Sequence, residues 1–278
     1  MIFSRALGAV TLALASIGAQ AVTNVTVQLG VNPNFAGGTG PVNTVLTQAG
    51  PAELSSGLVT GGFDSSGMAH AYANIGTLKV DGSSEGSLNS VARASWRDDF
   101  MLNLPGVAAN TQVIVNFTLL FDGSLNVGSS NIGSASWQVR ADVGGGAYDL
   151  GGDATLYNNS PSLAKHGYFG DPLGALHGTA TFLTGQNLPL IVELTGAAQT
   201  AYDGHGGALA TASFDLAHTL RWGGMTVSLN GVQQNDVMLT SGSGFNYLQA
   251  APVPEPGTLL MALCGAAVLL ARQRFTRV

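Results

Sequence analysis

Charge, cysteine and helical periodicity are all scarce in this sequence, and each shortage narrows what the chain can be. Charged residues make up 9% of the 278 positions against 45% apolar, a balance that excludes disorder maintained by charge. A single cysteine, Cys264, excludes a disulfide framework and any cysteine-based zinc site in the middle of the chain. Between Val22 and Ala251 no stretch of ten or more residues repeats its apolar positions at helical spacing. The same stretch holds six basic residues against fifteen acids, a formal charge of −9 that disfavours nucleic acid and anionic lipid as partners.

What the chain has in plenty is glycine, 39 residues mixed with Ser, Thr, Asn and Ala and without a collagen-like period. Apolar residues alternate at period two, most clearly over Val113, Val115, Phe117, Leu119 and Phe121, and over Ala135, Trp137, Val139, Ala141 and Val143. Further strands are expected at Val25–Leu29, Ala69–Ile75, Phe100–Leu104, Thr179–Leu183, Leu190–Leu194, Ala208–Ala217, Thr226–Leu229 and Val237–Thr240. Turn signals punctuate them at Asp81-Gly82, Asp122-Gly123, Asp203-Gly204 and Asn230-Gly231. Roughly ten to twelve short strands with glycine-rich turns predict an all-β fold, an antiparallel β-sandwich of jelly-roll-like order, spanning 22–251 as one extracellular domain.

The two ends are built differently. Residues 1–21 have a short positive start ending at Arg5, an apolar run from Ala6 to Ile17, and the small-x-small triplet Ala19-Gln20-Ala21, which predicts a signal helix cleaved after Ala21 by signal peptidase following export through the Sec translocon. At the other end, residues 252–278 carry Val253-Pro254-Glu255-Pro256-Gly257, then an apolar run to Ala271, then Arg272, Arg274 and Arg277. The two prolines supply no backbone N–H and hold the motif extended, which suits it to the grip of a processing enzyme. The run 257–271 makes about 22 Å of helix against roughly 30 Å of hydrocarbon, so it predicts a marginal, temporary transmembrane anchor in the inner membrane with its arginine end cytoplasmic.

This tail resembles the PEP-CTERM sorting signal of Gram-negative bacteria, with Val253-Pro-Glu-Pro256, the apolar run and the terminal arginines in the family's order. The likeness covers about 26 residues. It implies recognition by an exosortase, a membrane-embedded cysteine protease or transpeptidase, and association with surface and exopolysaccharide (biofilm) assembly. The nucleophile in that family belongs to the exosortase, so Cys264 is a bystander in an apolar helix. The segment Ser241–Ala251 resembles the ending such proteins show before the motif, a last strand and a short spacer.

Within the body, chemistry-bearing residues are few. Gly82-Ser83-Ser84-Glu85-Gly86 fits G-x-S-x-G, but it lacks the strand before and helix after that a nucleophile elbow needs, and a hairpin loop is expected instead. His70, His166, His177, His205 and His218 lack paired zinc spacing; His70 and His218 read as sheet-face residues and the others as loop positions. No cofactor is required. Calcium is the one candidate, on Asp142, Asp149 and Asp153 around a glycine-rich turn and on Asp203, with solvated Asp-Gly turns as the favoured account. Trp96, Trp137 and Trp222, with Tyr72, Tyr148, Tyr157, Tyr168, Tyr202 and Tyr247, suit either core packing or a sugar-stacking face. Asp98 and Asp99 beside Arg93 and Arg97 are expected to form an exposed ion-pair cluster. The expected function is therefore a non-catalytic, exported surface or matrix protein, transiently anchored and then released to the cell surface. A secreted carbohydrate-binding module is the alternative, and a secreted hydrolase, which needs two carboxylates at catalytic separation, ranks below it.

Overall fold

The structure, a computed structural model, describes residues 23–33, 42–60, 65–128, 132–144, 146–157, 160–167, 175–201 and 210–252. The signal segment with Ala19 and Ala21, and the tail from Val253 to Val278 with its helix, lie outside them.

Sixteen strands are present among the described residues. The hairpin β1 (Asn24–Pro33) and β2 (Val42–Gln48) leads into the meander β3 (Ala52–Thr60), β4 (Ser65–Asn74) and β5 (Thr77–Glu85). The chain continues through β6 (Leu88–Asn103), β7 (Gln112–Leu120) and β8 (Ser124–Val127) to a second meander, β9 (Ile132–Val143), β10 (Gly146–Tyr157) and β11 (Ser160–Gly167). It closes with β12 (Ala175–Leu183), β13 (Asn187–Ala201), β14 (Thr211–Leu229), β15 (Val232–Gln234) and β16 (Met238–Ser241).

These strands form two wholly antiparallel sheets of eight. One runs β11-β10-β9-β13-β6-β1-β2 with β16 also on β6, and the other β12-β7-β14-β5-β4-β3 with β8 and β15 also on β14. The sheets face one another, β6 over β4 and β5, β13 over β5 and β14, and β1 over β3 and β4. Period-two alternation decides which side chains meet between them. Val25, Val27, Leu29 and Val31 of β1, Leu78 and Val80 of β5, and Ala92, Ala94 and Trp96 of β6 are all buried. Phe214 fills the layer between the sheets because Gly82 and Gly196 lack side chains; a Cβ there would stand 2.6 Å and 2.2 Å from its ring.

Several turn assignments move. Asn230-Gly231 is a tight hairpin turn, with φ of 53° and 80°, between β14 and β15. Asp122-Gly123 lies in the step between β7 and β8, both of which pair with β14. Asp81-Gly82 is instead mid-strand in β5, and the β4–β5 turn falls at Ile75-Gly76. Apart from Gly144 and Gly145, the glycine segment 144–152 is backbone of β10. At Gly82 the cause is a small residue at an inward position: its strand neighbour Phe214 turns its ring over the glycine and against Gly196 of the facing sheet, so the strand persists where composition signals a turn.

Candidate functional site

The residues with most structure around them lie where the two ends of the body meet. In β6 the inward positions are the even ones, Leu88, Ser90, Ala92, Ala94, Trp96, Asp98, Phe100 and Leu102, while Arg93 and Arg97 are exposed. Asp98 is thus fully buried, which corrects the expectation of an exposed ion-pair cluster. Of that cluster Arg93 pairs outward, its Nε 3.5 Å from Glu193 Oε1.

Burying a carboxylate is costly unless hydrogen bonds replace its water, and Asp98 accepts five. Its Oδ1 receives Thr23 Oγ1 at 3.0 Å, the backbone N–H of Asp99 at 2.9 Å and that of Ser243 at 3.1 Å. Its Oδ2 receives the Tyr247 hydroxyl at 2.8 Å and the Ser243 hydroxyl. Burial, followed by the charge of Asp98 and its hydrogen bond, drives the Tyr247 phenol far above its usual titration range, so it remains a donor.

The segment after β16 is neither strand nor spacer but a plug. Tyr247 is fully buried and packs edge-on to Trp222 at 5.2 Å and against Phe245 at 4.8 Å, and Trp222 stacks on Phe117 at 5.8 Å. The Trp222 indole N–H donates to Tyr247 O at 2.6 Å, and Ala251 N–H donates to Trp222 O at 2.7 Å. Gly76 permits this: its φ is +79°, and a Cβ there would lie 2.6 Å from the Phe245 ring. Beside the plug opens a cleft of about 680 Å³, bordered by Thr23, Pro51, Ile75, Thr77, Phe245 and Pro252, with no charged residue in its lining.

A second cluster sits on the outer face of the other sheet. His70 Nδ1 is 2.7 Å from Asp81 Oδ1 and its Nε2 is 2.9 Å from Glu53 Oε1, on three neighbouring strands, with Asp215 opposite Asp81 on a fourth. Burial lowers the His70 pKa, but the hydrogen bonds and charges of Asp81 and Glu53 more than offset this and raise it above its ordinary value. With both ring nitrogens directed at carboxylates, the arrangement favours imidazolium; it offers no nitrogen lone pair to a metal or a nucleophile.

The other candidates disperse. Ser84 of the G-x-S-x-G segment is buried in β5, 2.9 Å from Ala198 O and 3.0 Å from Ser90 Oγ, so the segment is neither an elbow nor a hairpin loop. Asp149 and Asp153 lie within β10 rather than in a turn, opposite Arg140 and Ser136, and Asp142 lies in β9. Among the described residues no group of three or more His, Cys, Asp or Glu could hold a metal. His177, on β12, meets Thr118 at 3.1 Å, His166 is on β11, His218 is on β14, and Asp203 and His205 lie outside the described residues. Trp96, Trp137 and Trp222 are all buried, so none is available to stack on a sugar. Tyr72, half-buried, faces Lys79 Nζ at 5.9 Å. Among the described residues no helix is long and apolar enough to cross a membrane; the run 257–271, the motif Val253 to Gly257, and Arg272, Arg274 and Arg277 fall outside them.

Alternation along β6 is the sequence signal that finds Asp98. Nothing local in the sequence finds its partners, which lie 75, 145 and 149 residues away. Comparison with protein-family models, with curated proteins and with solved structures finds no match.

Proposed function

We propose that this chain is an exported, non-catalytic surface or extracellular-matrix protein of the PEP-CTERM type. Its leader is removed after Ala21, its body is a jelly-roll-like sandwich, and Val253-Pro-Glu-Pro-Gly257 is handed to an exosortase-like enzyme while the tail holds the chain in the inner membrane. The released body joins the cell surface or its exopolysaccharide.

The observation that carries this reading is the junction at Asp98. Thr23, two residues after the expected leader cleavage, and Tyr247, six residues before the motif, bind the same carboxylate. Residues close in sequence to both expected processing points therefore meet at one carboxylate, and cutting after Ala21 or within Val253–Gly257 leaves the cage around Asp98 whole. Ala251, two residues before the motif, is still packed into the body at 5% exposure, which supports a motif presented close to the folded domain. The jelly-roll-like order rests on β5, β6, β7, β12, β13 and β14, which cross between the sheets so that β6 neighbours β13, and β14 lies between β5 and β7. The meander β9–β11 is then an insertion.

Intact mass spectrometry of the protein from medium and membranes, in a host with an exosortase and in a strain lacking it, tests the proposal. A form starting at Val22 and ending near Pro254 only when the enzyme is present is the expected result. A chain ending at Val278 in both strains makes the tail a plain anchor and overturns the sorting assignment.

A further inference from the structure

Among the described residues each sheet ends in two edge strands, and the four edges differ in what guards them. An open edge presents a row of N–H and C=O groups that templates another strand, and proteins blunt it with charge, proline or interruptions in the strand. The sequence of β3 includes Glu53, 64% exposed, and Gly57; that of β11 includes Pro161 and Lys165; that of β12 includes His177 and Gly178. β2 is unlike them. Its sequence, Val42-Asn-Thr-Val-Leu-Thr-Gln48, has no ionisable residue, no proline and no glycine, and four of its seven residues are β-branched.

Among the described residues β2 pairs only with β1. Asn43, Thr44, Val45, Thr47 and Gln48 are exposed, Val45 at 59%, so both faces of the strand meet solvent. The register with β1 sets Leu46 opposite buried Val27 and Val45 opposite Gln28, so Leu46 points toward the sandwich interior and Val45 away from it.

We propose that β2 is the surface through which this protein pairs with a second copy of itself, antiparallel about Val45, extending the first sheet across a two-fold axis. In that register Val45 faces Val45, Thr44 faces Leu46, Asn43 faces Thr47 and Val42 faces Gln48. The pattern is self-complementary, and it brings two bodies of formal charge −9 together along a strand that adds no charge to their repulsion. Glu53 on β3 would instead oppose an acidic partner. A two-fold interface uses the same patch on both partners, so assembly closes at a dimer and does not propagate into a fibre. Added salt strengthens the pairing by screening the bodies from each other.

Cysteine cross-linking of the full chain in a Cys264→Ser background tests this. Facing Cα atoms in an antiparallel pair lie about 4.5–5.5 Å apart, within disulfide reach. Val45→Cys gives a disulfide-linked dimer; Asn43→Cys alone gives little, and Asn43→Cys with Thr47→Cys restores it. Val232→Cys, at a 64% exposed position on β15, gives the background level. By sedimentation the protein without substituted cysteines is a dimer whose Kd rises at least about tenfold in Val45→Lys, with circular dichroism unchanged. Cross-linking of Val45→Cys no faster than Val232→Cys, a monomer at every concentration, Asn43→Cys coupling to itself, or capture of a foreign chain by β2 would each overturn the proposal.

Discussion

Replacing Asp98 by Asn separates the charge at the junction from its shape. The amide fits the carboxylate's space, and one oxygen can still accept from Thr23 Oγ1, Asp99 N and Ser243 N. The new NH₂ then meets the Ser243 and Tyr247 hydroxyls, which must rotate from donors to acceptors. Hydrogen bonds to a charged group are worth about 1.5–3 kcal/mol and neutral ones about 0.5–1.5 kcal/mol. All five bonds lose their charge assistance, the amide's much smaller desolvation cost offsets most of that, and the forced reversal of the two hydroxyls leaves a loss of roughly 2 kcal/mol. For a body of this size that lowers Tm by about 4–8 °C. The loss concentrates where the bonds are. Hydrogen exchange at Ser243 N and Ala251 N should accelerate, while exchange in β6 and β13 should change less. Urea unfolding of the exported body followed by tryptophan fluorescence gives the global figure, and exchange mass spectrometry over 242–252 gives the local one. A variant within 0.5 kcal/mol of the parent protein, with 242–252 exchanging as before, would refute the account of Asp98 as the bond between the two ends.

Two further perturbations follow from other features. Gly76→Ala combines a left-handed backbone position with a Cβ directed at Phe245, and should cost about 2–3 kcal/mol, measured by chemical unfolding; a loss under 1 kcal/mol would show that the plug yields easily. His70 has a pKa raised above its unfolded value near 6.5, so its contribution to stability is complete below about pH 6.5 and declines as pH rises through the raised value. The stability difference between the parent protein and His70→Gln should therefore shrink with rising pH through that range, and a difference that grows would reverse the assignment of Asp81 and Glu53 as its partners.

The sandwich was legible because its longest apolar alternations, Val113–Phe121 and Ala135–Val143, follow the pleat for four or more turns of the period. The lengths of β5 and β6 were not, because Gly82, Ser84 and Ser90 hold inward positions that look polar or neutral in composition, yet Gly82 lies under the ring of its strand neighbour Phe214 and Ser84 bonds Ser90 across the two sheets. The site divides the same way. That position 98 points inward follows from counting along β6. That the carboxylate there can be tolerated depends on Thr23, Ser243 and Tyr247, and no periodicity links residues so far apart. Glu53, His70 and Asp81 come from three strands, β3, β4 and β5, and only the pairing of those strands reveals them as one group.

The cage around Asp98 also sets an order in time. A polypeptide made and threaded from its N-terminus presents Thr23 and Asp98 long before Ser243 and Tyr247 arrive, the last of them 149 residues after Asp98. Until then the carboxylate lacks three of its five donors and is held more favourably by water than by the gap between the sheets. The body therefore locks only when its final dozen residues have arrived. A chain that stops short of Ser243 leaves Asp98 solvated and the sandwich unsealed at that point.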